Sequence, residues 1–221
     1  MPRPKTLPDR DVLEAAYKLM HESGPDSLTF SLLAQASGLS ASTLVQRFRS
    51  KAQLVHSTLS FAWDRLDEKT AALAAKVPKD AEGAIQLLTA LSKDYGGIEA
   101  YADALLILRE DLRNPALRSR GASWKAALSR ALDDCLAEVP HAPRGTGLLM
   151  ASQWQGSLLW WSFDPQGAVE DYVEDNLRHF VAAAIGSEAA GLRRRSGRAK
   201  DPALTNATRG RTGPATKGGR P

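Results

Sequence analysis

The stretch Leu28 to Leu54, LTFSLLAQASGLSASTLVQRFRSKAQL, restricts the fold more than any other part of the chain. Thr29 can cap a short helix running to about Ser37, and Ser40 can cap another running to about Phe48. Gly38 stands between them, where a sharp turn needs a positive φ. Ala34 is small where the two helices would cross. Leu33, Leu39, Leu44 and Phe48 can close a minicore. Ser50 and Gln53 have capping-box spacing at the start of a long following helix. Two short helices about a tight turn form a helix-turn-helix pattern, which offers its second helix to the DNA major groove. Ser42, Thr43, Gln46 and Arg47 would then face base edges and phosphates.

Flanking segments carry helical periodicity, without the alternation of strands. Asp9 can cap a first helix with Val12, Leu13, Ala16, Leu19 and Met20 on its apolar side. The fourth helix should reach about Lys76, before Pro78. Asp80 caps a fifth, which Gly96-Gly97 ends, and the sixth covers about Ile98 to Leu112. Asn114-Pro115 opens a seventh as N-cap and N1 proline, ending near Val139. The eighth spans about Arg144 to Phe163 and the ninth about Ala168 to Ile185. The expected fold is all-α with about nine helices.

Charge divides the chain unevenly. Residues 1–52 carry a net +2, residues 53–186 a net −5, and residues 187–221 a net +7. The last segment has no aromatic residue, and Leu192 and Leu204 are its only large aliphatics, so it is expected to be a disordered basic tail. The expected division is a DNA-binding domain at 1–52, a larger helical domain at 53–186 and the tail at 187–221. One cysteine gives no internal disulfide. The start lacks an apolar signal core and no run of 18 apolar residues occurs, so a cytoplasmic protein without a membrane association is expected.

Leu28-Thr29, Leu33-Ala34, Gly38-Leu39-Ser40, Ser42-Thr43-Leu44, Phe48 and Ser50-Lys51 together resemble the TetR family of bacterial transcriptional repressors, strongly over about residues 9–60. The resemblance implies an N-terminal three-helix DNA-binding domain and a larger helical domain that binds a small molecule and forms a homodimer. It implies that Thr29 caps the second helix near a phosphate, that Ser40, Ser42, Thr43 and Gln46 belong to the DNA-facing surface, and that Arg47 and Lys51 meet the backbone. A lysine in a first helical turn opposes the helix dipole, and a phosphate would account for Lys51. The family's usual aromatic is replaced by Val45, which can pack but cannot donate a hydrogen bond.

The five tryptophans, at 63, 124, 154, 160 and 161, lie outside the motif. The resemblance places Trp63, Tyr101, Trp124 and Trp154 around a ligand cavity, with Arg109 and Glu110 either orienting a ligand or pairing at the surface. An effector that is largely apolar or aromatic is expected, of unknown identity. The last two helices carry interface-compatible residues, Leu148, Leu149, Ser152, Gly156, Leu159 and Phe163 on one and Val169, Tyr172, Val173, Leu177, Phe180, Val181 and Ile185 on the other, which the resemblance implies form a two-fold four-helix interface. Burial within their own domain is the other reading of these residues. His21, His56, His141 and His179 have no metal spacing, Cys135 suits a buried position, and no phosphate loop occurs. The expected function is a ligand-released repressor of a palindromic operator, with no cofactor and no enzymatic activity. A regulator without a small-molecule inducer and, remotely, an all-helical enzyme are the alternatives.

Overall fold

The computed structural model describes residues 7–186. Those residues form nine α-helices and no strand: α1 (Asp9–Ser23), α2 (Phe30–Ser37), α3 (Ala41–Phe48), α4 (Lys51–Ala74), α5 (Ala81–Ser92), α6 (Ile98–Arg113), α7 (Pro115–Leu136), α8 (Thr146–Phe163) and α9 (Val169–Ala184). Short 3-10 turns, Pro25–Ser27 and Lys93–Tyr95, precede α2 and follow α5. The basic tail expected from residue 187 lies outside the described residues.

The helix starts follow their caps. Leu32 N–H donates to Thr29 Oγ1 (3.2 Å), Thr43 N–H to Ser40 Oγ (3.1 Å) and Gly83 N–H to Asp80 Oδ1 (2.8 Å). Asn114 Oδ1 accepts from Ala116 N–H (2.9 Å) ahead of Pro115. Each removes an orphan donor from a first turn. Two expectations fail locally. Pro8 occupies the cap position of α1 without a side-chain bond, so Asp9 sits in the first turn, where its charge still suits the dipole. The box at Ser50 is half made: Gln53 N–H donates to Ser50 Oγ (3.1 Å), but the Gln53 side chain turns to Ser57.

Two apolar clusters organise the chain. The first gathers Val12, Ala16 and Met20 of α1, Leu33, Leu39, Leu44 and Phe48 around the turn, and Leu54 and Leu59 of α4. It also takes in Ile107 of α6 and Leu117 of α7, so the three-helix end is seated on the α6–α7 corner. The second joins α5, α7, α8 and α9 around Leu87, Leu88, Leu132, Met150, Trp154 and Leu177. Each fully buried leucine contributes about 2 kcal/mol of transfer free energy. α4 runs through both clusters and couples them. Val169, Val173, Leu177, Val181 and Ile185 of α9 are buried in the second cluster. That stripe therefore covers its own body, and the apolar face left open lies on α8.

Candidate nucleic-acid interface and effector cavity

Gly38 ends α2 at φ +71° and ψ +16°, the left-handed geometry that lets α3 turn back across α2. Leu33, Leu44 and Phe48 fill the angle beneath, which leaves Ser42 and Gln46 exposed and Thr43 half-buried on α3. Ser40 Oγ lies 2.8 Å from both Ser42 Oγ and Thr43 Oγ1, so three hydroxyls share one network at the N-terminus of α3. Rotating hydroxyls can donate or accept, as base edges and phosphates both require. Val45, expected to pack, is 43% exposed on this helix.

The two cations expected at the backbone have partners within the chain. Arg47 is half-buried, and its Nη1 donates to Leu7 O (2.7 Å) and Asp9 Oδ1 (3.1 Å), tying the end of α3 to the start of α1. Lys51 Nζ donates to Asp26 O (2.5 Å), which holds the 3-10 turn against α4. A lysine ammonium on one carbonyl has two further N–H donors to offer. Arg49, which the sequence reading passed over, is exposed between α3 and α4 at φ +60°, a conformation uncommon outside glycine.

A cleft of about 530 Å³ opens between the three-helix end and the larger body. Tyr17 and His21 of α1, Trp63, Arg65 and Lys69 of α4, Tyr95 of the 3-10 turn after α5, Ile107 and Asp111 of α6, Trp124 of α7 and Trp154 of α8 line it. The tryptophans form a continuous series. Trp63 and Trp124 have ring centroids 6.0 Å apart, Trp124 and Trp154 6.2 Å, and Trp154 and Tyr95 6.5 Å. Every indole in the series has an acceptor: Trp63 Nε1 donates to Asp111 Oδ1 (3.1 Å), Trp124 Nε1 to Thr70 Oγ1 (3.0 Å) and Trp154 Nε1 to Ser92 Oγ (2.8 Å). Satisfied N–H groups fix the ring planes; Trp63 and Trp124 are partly exposed to the cleft, whereas Trp154, 2% exposed, backs them from the core.

Residues 12–58 match the model of the family described as bacterial regulatory proteins, tetR family. The chain carries the DNA-binding domain of the TetR family. Among solved structures, it resembles a TetR-family transcriptional regulator from Streptomyces coelicolor at 15% identity and TM-score 0.65, covering 83% of this chain and 84% of that one. A transcriptional regulator from Saccharomonospora viridis in complex with choline aligns over 80% of this chain and 97% of its own, at 18% identity and TM-score 0.64. One from Rhodococcus sp. RHA1 aligns over 81% and 98%, at 16% identity and TM-score 0.63. At these identities the likeness is one of fold. No curated protein matches the chain.

Measured against the expected ligand set, the TetR-type fold brings Trp63, Trp124 and Trp154 into the cleft wall and leaves two residues out. Tyr101 is 5% exposed in the core beside Tyr95, behind the wall. Arg109 points its charge to the surface, 3.6 Å from Glu110. The helical period separates Arg109 from Asp111 by about 200°, so when Asp111 turns inward Arg109 must turn outward. Asp111 and Tyr17 have no place in the sequence analysis, and His21 figures there only as a histidine without metal spacing. A lone aspartate near the end of an amphipathic helix carries no local signal, and α1 was assigned wholly to the DNA-binding core. Among the described residues no group of three or more metal-ligating side chains occurs, and no helix is long and apolar enough to cross a membrane.

Burial pushes the Asp111 carboxyl up from 3.8 to about 6, the Trp63 N–H pulling it down and Glu110 pushing it up again. The folded state thus holds this proton more tightly than the unfolded chain does. Stability from the protonated form is full below about 4 and is lost as pH rises through about 6. Asp111→Asn keeps an acceptor for Trp63 and cannot ionise. It should be more stable than the wild type at pH 7.5 by about 1–3 kcal/mol, with the gap closing by pH 4. Denaturant melts of both proteins at the two pH values measure it, and a gap that does not change with pH would refute the assignment.

Proposed function

We propose that the chain is a homodimeric repressor released from a palindromic operator by a small, largely apolar ligand. The observation that carries this reading is the shared wall of the cleft. Tyr17 and His21 belong to the first helix of the DNA-binding domain, whereas Trp124 and Trp154 belong to the larger body. A ligand that fills the space must bias how the two parts sit together, and α4 links that bias to the spacing of the recognition helices. The volume falls within the usual range for small-molecule sites, about 300–1,000 Å³. It lies at the junction of the two parts, where the sequence reading placed it within the larger one. The choline complex of the Saccharomonospora viridis regulator supports a small organic effector. A regulator controlled only by a protein partner has no use for such a cleft.

On this reading residues 1–52 read DNA and residues 53–186 bind ligand and pair protomers, with α4 bridging the boundary. Thr29, Ser40, Ser42, Thr43 and Gln46 meet DNA directly. Arg47 fixes α3 on α1 and Lys51 reaches phosphate from the start of α4. Such a regulator works in the cytoplasm, where bacterial DNA is. α3 of each protomer enters successive major grooves about 34–36 Å apart.

Mobility shifts with the palindromic DNA upstream of the chain's own gene test the proposal. Wild-type protein should bind and be released on addition of effector. Lys51→Ala should weaken binding similarly for all sequences and lower the salt slope by about 1 per site. Binding to an asymmetric site by a monomer would overturn the reading, and an unchanged salt slope would remove Lys51 from the interface.

A further inference from the structure

We propose that the cleft selects an organic cation, a quaternary or aromatic ammonium, with Asp111 as its counter-ion and Trp63, Trp124 and Tyr95 as its cage. This rests on the effector reading above and adds the charge of the ligand to it.

The charges around the cleft do not balance in its interior. Two cations line it, and both are engaged by their own carboxylates: Arg65 pairs with Glu14 and Lys69 with Asp94. Asp111 is 8% exposed, and its recorded partner is the neutral Trp63 indole. Glu110 beside it faces Arg109 and Arg113 at 3.6 and 3.9 Å. Filling the cleft with a neutral molecule would strip the remaining water from Asp111 and compensate nothing, whereas a cation would pair with it. His21, the other titratable group on α1 here, is held below its usual value by burial, with Asp103 opposing, and is neutral at pH 7.5. Tyr95 is pushed up to about 12, chiefly by burial, and is neutral as well.

The walls suit the same ligand. Indole faces attract cations through their quadrupole within about 6 Å of the ring, most strongly when water is excluded. The Trp63 and Trp124 planes are inclined at 53°, so the two rings present faces at an angle to one another instead of stacking them shut. The Trp63 N–H is spent on Asp111, which fixes the carboxylate at the edge of the first ring. Leu59, Leu66 and Ile107 complete an apolar floor that a hydrocarbon or aryl substituent could occupy.

Phenyltrimethylammonium and tert-butylbenzene share a shape and differ in charge. Isothermal titration calorimetry of the full chain at pH 7.5 should give at least tenfold tighter binding for the cation. Asp111→Asn should weaken the cation at least tenfold and should not weaken the hydrocarbon. Equal affinities for the two compounds would overturn the charge preference while keeping the cleft as an effector site. So would a cation affinity indifferent to Asp111→Asn. If neither compound binds, the effector reading fails together with the cation. Wild-type protein alone supplies the first comparison, so the result does not depend on the variant folding.

Discussion

A Trp160→Glu, Phe163→Glu double variant is expected to be a folded monomer that binds its operator about 10²–10⁴-fold more weakly than the wild type. The two rings lie 6.0 Å apart on the outer face of α8, 67% and 74% exposed. Leu148, Leu149 and Leu159 extend that face, each more than 40% exposed. A contiguous apolar surface of this kind on a water-facing helix marks an interaction site. Gly156 is on the same helix, and a Cβ added there would meet nothing within 4 Å, so a partner helix has room for close approach. In the proposed homodimer, two glutamates per protomer would meet their symmetry mates across the two-fold axis and oppose pairing. Once the protomers separate, each recognition helix binds its half-site alone and the effective-concentration gain is lost. Sedimentation velocity and fluorescence anisotropy on operator DNA read the two effects. A dimer that survives the double substitution would move the interface off α8.

Gly147→Ala should destabilise the fold by about 3 kcal/mol. α8 crosses α7 at this residue. An added Cβ would stand 2.4 Å from the Ser129 carbonyl oxygen and 2.9 Å from the Asp133 nitrogen, both backbone atoms that cannot step aside. The Gly147 N–H also donates to Asp133 Oδ1 at 2.8 Å, a bond that separation of the helices would stretch. Thermal and denaturant melts of the variant measure the loss. Wild-type stability would mean that α7 and α8 move apart at no cost.

Sequence alone determined the local features. Thr29, Ser40, Asp80 and Asn114 cap the helices where their side chains predict, because a cap needs only its own backbone three residues on. Gly38 turns the motif for the same local reason, and the minicore beneath it follows from helical period. What sequence could not decide was which of several apolar or charged faces meets which neighbour. Burial of the α9 stripe within its own body, with the α8 face left open, depends on how four helices pack together. Arg47 has an acceptor at Leu7 because folding brings α3 onto the start of α1, 40 residues away in the chain. The cleft is the clearest case. Trp63 and Asp111 are 48 residues apart, and Trp154 reaches Ser92 across 62. Aromatic content announced rings in the larger body. Only the tertiary structure put Tyr17 of the DNA-binding end in the same wall, and beside them a carboxylate whose recorded partner is an indole N–H. Such a site is assembled by long-range packing, and no short sequence window contains the information that specifies it.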